Sequence, residues 1–422
     1  MSGMRAGVVV AVVVLAAACG SAVEPSDLAT AEAPEASEQQ PAPPPEPPAA
    51  DERAVDTARA ANHLGFAVHA GLLVEHEGLN VVTSPWSLSA LLAIVAAAAE
   101  GETAAQLEAV LGDAGGQDEG LGLLADSLRS ASSVQLRLAT GLWANSELAV
   151  DDAALAALAE RFDAQLVSLP LGEASAAAAI DQWVTEQTDG MIRDLAEPLG
   201  LPDPQLPLAV ATALAFVGDW TQGFDEQASG PGTFTLDDGS DVEVPMMRRT
   251  DTPTLWFADA DLEVVRLPYG EDERFGMEVF LPVEDLALED LVEQLDADRW
   301  GDLVQQLGST DVEVVLPSFS LRSSVGLTGV LQDLGVERAF GAQAEFGPIA
   351  DAPLALTDVA QVTFVEVTEQ GTRAAAASAG SIGDDDSAGP LIFEVDRPFL
   401  FTISDRATGA VLLLGTIHDP RG

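Results

Sequence analysis

The chain has 422 residues, 18 of them basic and 69 acidic, for a net charge of −51. Every basic residue is Arg, so there is no lysine patch for phosphate or anionic lipid, which argues against nucleic-acid binding; the acidity reads as solubility or as adaptation to a salty habitat. The single cysteine, Cys19, excludes an intrachain disulfide.

Arg5 is followed by an apolar run over residues 6–18, too short to span a bilayer and suited to the core of a signal peptide. Leu15-Ala-Ala-Ala-Cys19 is similar to a bacterial lipobox, with Ala16 where Leu is commoner. The expectation is a signal peptide at 1–18, cleavage before Cys19 and lipid on its thiol; an ordinary secretory signal is the alternative. Residues 19–51 are rich in Pro, Glu, Ala and Ser, cannot bury enough apolar surface to fold, and read as a disordered tether.

From residue 52 the pattern becomes globular, and no second linker interrupts it before 422, so one domain is expected. Helices are predicted at 51–76, where Ala58, Leu64, Ala67 and Leu72 have helical spacing, and at 84–98, where Ser84-Pro85 sets Pro in the first turn. A third follows at 101–108 with Thr103 as its cap, and two more at 152–162 and 174–188. Strands are predicted at 134–143, 208–220, 233–236, 242–247, 263–267, 276–281 and 311–316, and at 399–404 and 410–417 with a turn between them. Near the end a strand-like run gives way to Glu369, Gly371, Thr372 and four alanines, Ala374, Ala375, Ala376 and Ala377. An Asp-rich stretch follows, and a strand pattern resumes at Leu391. Helices dominate early and strands late, which indicates α+β architecture with extensive antiparallel sheet. None of the four histidines (His63, His69, His76, His418) sits in a catalytic or metal motif, and no Gly-x-Ser-x-Gly or His-Glu-x-x-His occurs. An enzyme is not expected, nor a metal or a cofactor.

A series of short motifs resembles the serpin family, in order, over roughly residues 55–422. They are the Ser-Pro helix start at 80–89, Thr-x-Gly-x-Ile at 188–192, Phe-Val-Gly-Asp-Trp at 216–220 with Phe224, and Val-Pro-Met-Met-Arg at 244–248. Leu-Pro-Tyr at 267–269, Leu-Pro-Ser-Phe at 316–319, Asp-Arg-Pro-Phe-Leu-Phe at 396–401 and Gly-Thr-Ile-His-Asp-Pro at 415–420 continue it. The resemblance implies helices packed on three β-sheets, with an exposed reactive loop at about 369–392. It implies a monomeric inhibitor acting as a suicide substrate: a serine or cysteine protease forms an acyl-enzyme on the loop, and the cut loop inserts as a strand and traps it covalently. In that reading Glu369, Gly371, Thr372 and Ala374 to Ala377 form the hinge. Gly371 gives freedom at the pivot, and the alanines are small enough to thread between strands. Arg373 departs from the acidic residue common in the family. Taken alone, the alanines also suit a short helix or a passive linker.

The resemblance places the family's buried shutter at Ser84, Ser87, Asp181 and Gln361, with Asp181 and Gln361 at the positions of the usual Asn and His, where Gln could still donate to Asp. Its loop spacing places the scissile bond at Asp385–Asp386, with Asp384, Ser387 and Ile382 as alternates. An Asp before the cut implies a protease with a cationic or hydrogen-bonding pocket; otherwise residues 384–386 are a solvated charge run. The expected location is the bacterial cell envelope, anchored only through lipid on Cys19, with a soluble extracellular form as the alternative. A non-inhibitory serpin acting as a surface binding protein is the competing function.

Overall fold

The structure, a computed structural model, describes residues 48–112, 117–250, 253–351, 354–372 and 391–422, all within one compact unit. In chain order the first elements are α1 (Glu52–Glu75), β1 (Val81–Thr83), α2 (Pro85–Ala98), α3 (Gly101–Leu111), α4 (Gln117–Arg129), β2 (Val134–Asn145), α5 (Asp152–Phe162), β3 (Gln165–Leu169), α6 (Ala174–Gln187) and β4 (Leu208–Asp219). Next come β5 (Gly230–Thr235), β6 (Asp241–Arg249), β7 (Pro253–Ala258), β8 (Leu262–Tyr269), β9 (Phe275–Pro282), α7 (Leu288–Gln294), α8 (Ala297–Gln306), β10 (Gly308–Pro317), β11 (Phe319–Gly326) and α9 (Thr328–Asp333). The last are β12 (Asp358–Val367), β13 (Gly371–Thr372), β14 (Leu391–Glu394), β15 (Phe399–Asp405) and β16 (Val411–Ile417).

Local chemistry accounts for the helix starts. The Ser84 hydroxyl accepts from Ser87 N at the head of α2, and Pro85 fills the first turn, where no intrahelical donor is needed. Helix α2 is then buried nearly all round, through Trp86, Leu88, Leu91, Leu92, Ile94 and Val95. Thr103, expected as the cap of α3, lies inside the helix instead. The Glu345 carboxylate caps it from far along the chain, accepting from Glu102 N (2.9 Å) and Thr103 N (3.3 Å), while Thr103 Oγ1 accepts from Glu345 N.

Among the described residues the strands fall into a six-stranded sheet and a ten-stranded path that divides in two. The main sheet has the order β11-β12-β4-β2-β3, with β13 also on β4. The other strands follow one path, β1-β16-β15-β9-β8-β7-β10-β6-β5. Strand β10 changes partners along its length, pairing with β7 over 308–311 and with β6 over 314–317. The path therefore divides, and β14 joins β10 in parallel at the edge of a four-stranded sheet. The buried ion pair Arg266–Glu278 ties β8 to β9, and Arg274–Asp405 ties the turn between them to the end of β15.

The main sheet is covered on both faces. On one, Val210, Leu214, Phe216, Val359 and Val365 join the main core around α2. On the other, Ala209, Ala211, Ala213, Ala360 and Val362 meet Ile180 and Val184 of α6, then Ile192, Leu195 and Leu199. Among the described residues, no helix is long and apolar enough to cross a membrane.

Candidate functional site

Strands β4 and β12 run parallel through the middle of the main sheet, in register from Asp358 opposite Ala209 to Phe364 opposite Ala215. There the ladder stops. Beyond it β12 continues beside β11, to Val367 opposite Phe319, and β4 continues beside β2, to Gly218 opposite Val134. The chain after β12 turns back into this opening. Thr368 N donates to Gly371 O at 2.9 Å, Gly371 N to Thr368 O at 3.2 Å, and Thr368 Oγ1 to Gly371 O at 2.8 Å. The returning strand β13 lies antiparallel on β4, Gly371 opposite Asp219 and Thr372 opposite Gly218. Gly371 has φ +145°, and a Cβ there would stand 2.4 Å from Gly218 O and 2.6 Å from Asp219 Cα, so only glycine fits.

An aromatic and cationic shelf supports this turn. Trp220 stacks on Tyr269 at 4.3 Å and donates its indole N–H to Thr368 O at 2.9 Å. Phe224 N donates to Glu369 O and Trp220 N to Gln370 O. Beneath, Arg249 lies over the Phe224 ring at 5.7 Å and donates to Gln222 O and Thr254 Oγ1. Burial pushes its pKa down to about 10, so it remains cationic at neutral pH.

Lower on the seam, Ser84, Ser87 and Gln361 come together. Gln361 Oε1 accepts from Ser84 N at 2.7 Å, its Nε2 donates to Ser84 O at 3.1 Å, and Ser84 Oγ donates to Ser87 Oγ at 2.8 Å. Asp181 does not take part. It lies on α6, across the sheet face from α2, and its Oδ1 accepts from Leu195 N and Ala196 N, both at 2.8 Å. A carboxylate satisfied by two backbone amides holds α6 to the segment after it, rather than pairing with Gln361. The residue beside Gln361 is Thr212, its partner in the parallel register, fully buried with no hydrogen-bond partner for its hydroxyl. Its signal in the sequence is one hydroxyl in an otherwise apolar run at 208–216. Gln361 thus fastens β12 to α2, and no side-chain hydrogen bond joins it to Thr212 across the seam.

A family model described as Serpin (serine protease inhibitor) matches residues 59–420. The chain is a serpin. It is 34% identical over 354 residues to an uncharacterised serpin-like protein of Thermococcus kodakarensis, covering 81% of each chain. It is 32% identical over 363 residues to Serpin-Z2B of Triticum aestivum, covering 81% of this chain and 90% of that one. Human thyroxine-binding globulin, solved with thyroxine, superposes with a TM-score of 0.79 at 22% identity, over 88% of this chain and 100% of that one. Native protease nexin-1 with heparin superposes with a TM-score of 0.76 at 23% identity, over 87% and 99%. These two likenesses attest the fold, and the family places the chain among inhibitors rather than catalysts.

In this serpin Glu369, Gly371 and Thr372 occupy the turn and the first residues of the return strand. Ala374, Ala375, Ala376, Ala377, Ile382, Asp384, Asp385, Asp386, Ser387 and Cys19 lie outside the described residues. The seam has a simple topological property. A strand returning from β12 is antiparallel to β12, and because β4 runs the same way it is antiparallel to β4 as well. One parallel pairing can therefore be exchanged for two antiparallel ones, which are slightly more stable per residue.

Proposed function

We propose that this serpin inhibits serine or cysteine proteases as a suicide substrate, trapping the acyl-enzyme when its cleaved loop enters the seam between β4 and β12. The observation that carries this reading is β13, already seated antiparallel on β4 at the open end of that seam. Continuing its register sets Ala375 opposite Ala215, Ala377 opposite Ala213, Ser378 opposite Thr212 and Ile382 opposite Leu208, the first residue of β4. Opposed residues in an antiparallel pair share a face. Once inserted, Arg373 would lie with Val217, which is partly exposed, and Ala375, Ala377 and Ala379 would lie with the alanines beneath α6. No bulky or branched side chain has to pass that helix.

In this reading the scissile bond is Asp385–Asp386, a few residues beyond the stretch that β4 could pair. The target would then carry a cationic or hydrogen-bonding specificity pocket, and trypsin-like enzymes, whose pocket holds a carboxylate, would be repelled. Lipid on Cys19 would anchor the protein to the cell envelope, with residues 19–51 holding the domain away from the surface.

The experiment is to nick the loop with a non-target protease and compare thermal unfolding of the intact and cleaved forms. Strand insertion adding several kcal/mol raises the melting temperature by roughly 5 °C or more. If the two forms melt alike, the loop does not insert and the inhibitory reading fails in favour of a binding protein.

A further inference from the structure

Three side chains far apart in sequence converge where the chain leaves β16. His418 follows β16, Asp237 lies in the turn between β5 and β6, and Glu289 lies in the first turn of α7. His418 Nδ1 is 2.7 Å from Asp237 Oδ2 and 3.9 Å from Glu289 Oε1. One ligand atom from each of the three lies within 4.8 Å of the others. The imidazole is fixed: it is buried, and its backbone is clamped by Asn80, whose Oδ1 accepts from His418 N and Asp419 N and whose Nδ2 donates to Asp419 O. The two carboxylates are 42% and 41% exposed, so they are free to adjust around it.

We propose that His418, Asp237 and Glu289 form a zinc site, with solvent completing a tetrahedron. Donors about 2.0–2.2 Å from one tetrahedral ion stand roughly 3.3–3.5 Å apart. The 2.7 and 3.9 Å separations lie on either side of that spacing, so one carboxylate draws back slightly and the other closes in. A hydrogen-bonded His–Asp pair does not account for Glu289, a second carboxylate 3.9 Å from the same nitrogen. A divalent cation removes the repulsion between the two acids, and a nitrogen donor among carboxylates selects zinc over magnesium or calcium.

The bound ion would join the C-terminus and α7 to the β5-β6 turn. Thr235 N, at the end of β5, donates to Asp396 O just after β14. Zinc would thereby brace the sheet at which the reactive loop re-enters the fold.

The test uses the full-length chain carrying Cys19→Ser, so that the thiol does not compete, stripped with chelator and titrated calorimetrically with zinc chloride. One zinc ion per chain is expected, with a raised melting temperature and no measurable magnesium binding. Asp237→Asn and Glu289→Gln should each weaken affinity at least about tenfold, whereas Asp290→Asn, an exposed neighbour, should leave it unchanged. Absence of saturable one-to-one binding, or binding indifferent to Asp237→Asn and Glu289→Gln, overturns the proposal.

Discussion

Replacing Gly371 by Ala tests the hinge at its pivot. At φ +145° an L side chain is strained by about 1–3 kcal/mol. The new Cβ would stand 2.4 Å from Gly218 O, 2.6 Å from Asp219 Cα and 2.8 Å from Trp220 N. All three are backbone atoms and cannot rotate away, so β13 must retreat by about 1 Å to regain ordinary contact. That stretches the paired Thr368–Gly371 bonds and the bond from Trp220 N to Gln370 O, each contributing about 1 kcal/mol. Together the docked hinge loses roughly 4–6 kcal/mol, more than a hundredfold in its population. The damage is local, because the turn can leave the shelf while the rest of the sheet stays paired. The intact chain should therefore melt within a few degrees of wild type, while appearance of the high-melting form after loop cleavage slows by about a hundredfold. The assay is a time course of unfolding scans after nicking. If the Ala variant converts as fast as wild type, the seated hinge is not where insertion begins.

Four further outcomes follow from the same geometry. Thr212→Val removes a buried hydroxyl that has no partner and should stabilise the intact form by about 1 kcal/mol; the gain should vanish in the cleaved form, where the proposed register brings Ser378 opposite. Gln361→Leu strands Ser84 N and should lower the melting temperature of intact and cleaved forms alike, by about 1–3 kcal/mol in stability; an effect on the intact form alone would show that Gln361 latches the seam. Asp181→Ala frees two amides beneath α6 and should cost about 2–4 kcal/mol by equilibrium unfolding, while the Gln361–Ser84 pair is retained. Burial holds the His69 pKa at about 3, below the unfolded value near 6.5. The unfolded chain therefore binds the extra proton: this contribution is complete above pH 6.5 and declines by up to about 1.4 kcal/mol per unit as pH falls toward 3. His69→Gln, compared with wild type across that range, should lose this component of the slope.

What the sequence made legible was local. Helices α1, α2, α5 and α6 and strands β4, β15 and β16 appear within a residue or two of their expected ends, because each carries its own apolar period or start signal. Strand β11 was absent from the expected strands; its inward row, Phe319, Leu321, Ser323 and Val325, breaks apolar alternation at Ser323, whose hydroxyl accepts from Val82 N. The Thr103 cap failed for a related reason, since the group that satisfies the α3 amides is Glu345, far along the chain. At the site, Gly371 and Gln361 were readable from their motifs. Thr212 was not, because its role depends on β12 choosing β4 as a parallel neighbour, a pairing that leaves no mark in either strand. Asp181 was misplaced because spacing along the chain does not reveal on which face of the sheet α6 lies.

The alanine face of β4 bears on how such a sheet could change width. Interlocking side chains hold two layers at one offset, since sliding drives ridges into ridges. Ala209, Ala211 and Ala213 give α6 only methyl groups to rest on, and Ala375, Ala377 and Ala379 would present the same methyl groups if the loop arrived beside them. Helix α6 would then meet only methyl groups beside β4, where β12 now sets Ala360, Val362 and the partly buried Phe364. The layer would behave as a smooth bearing, along which the sheet can widen by one strand, about 4.8 Å, while the helix above it keeps its packing.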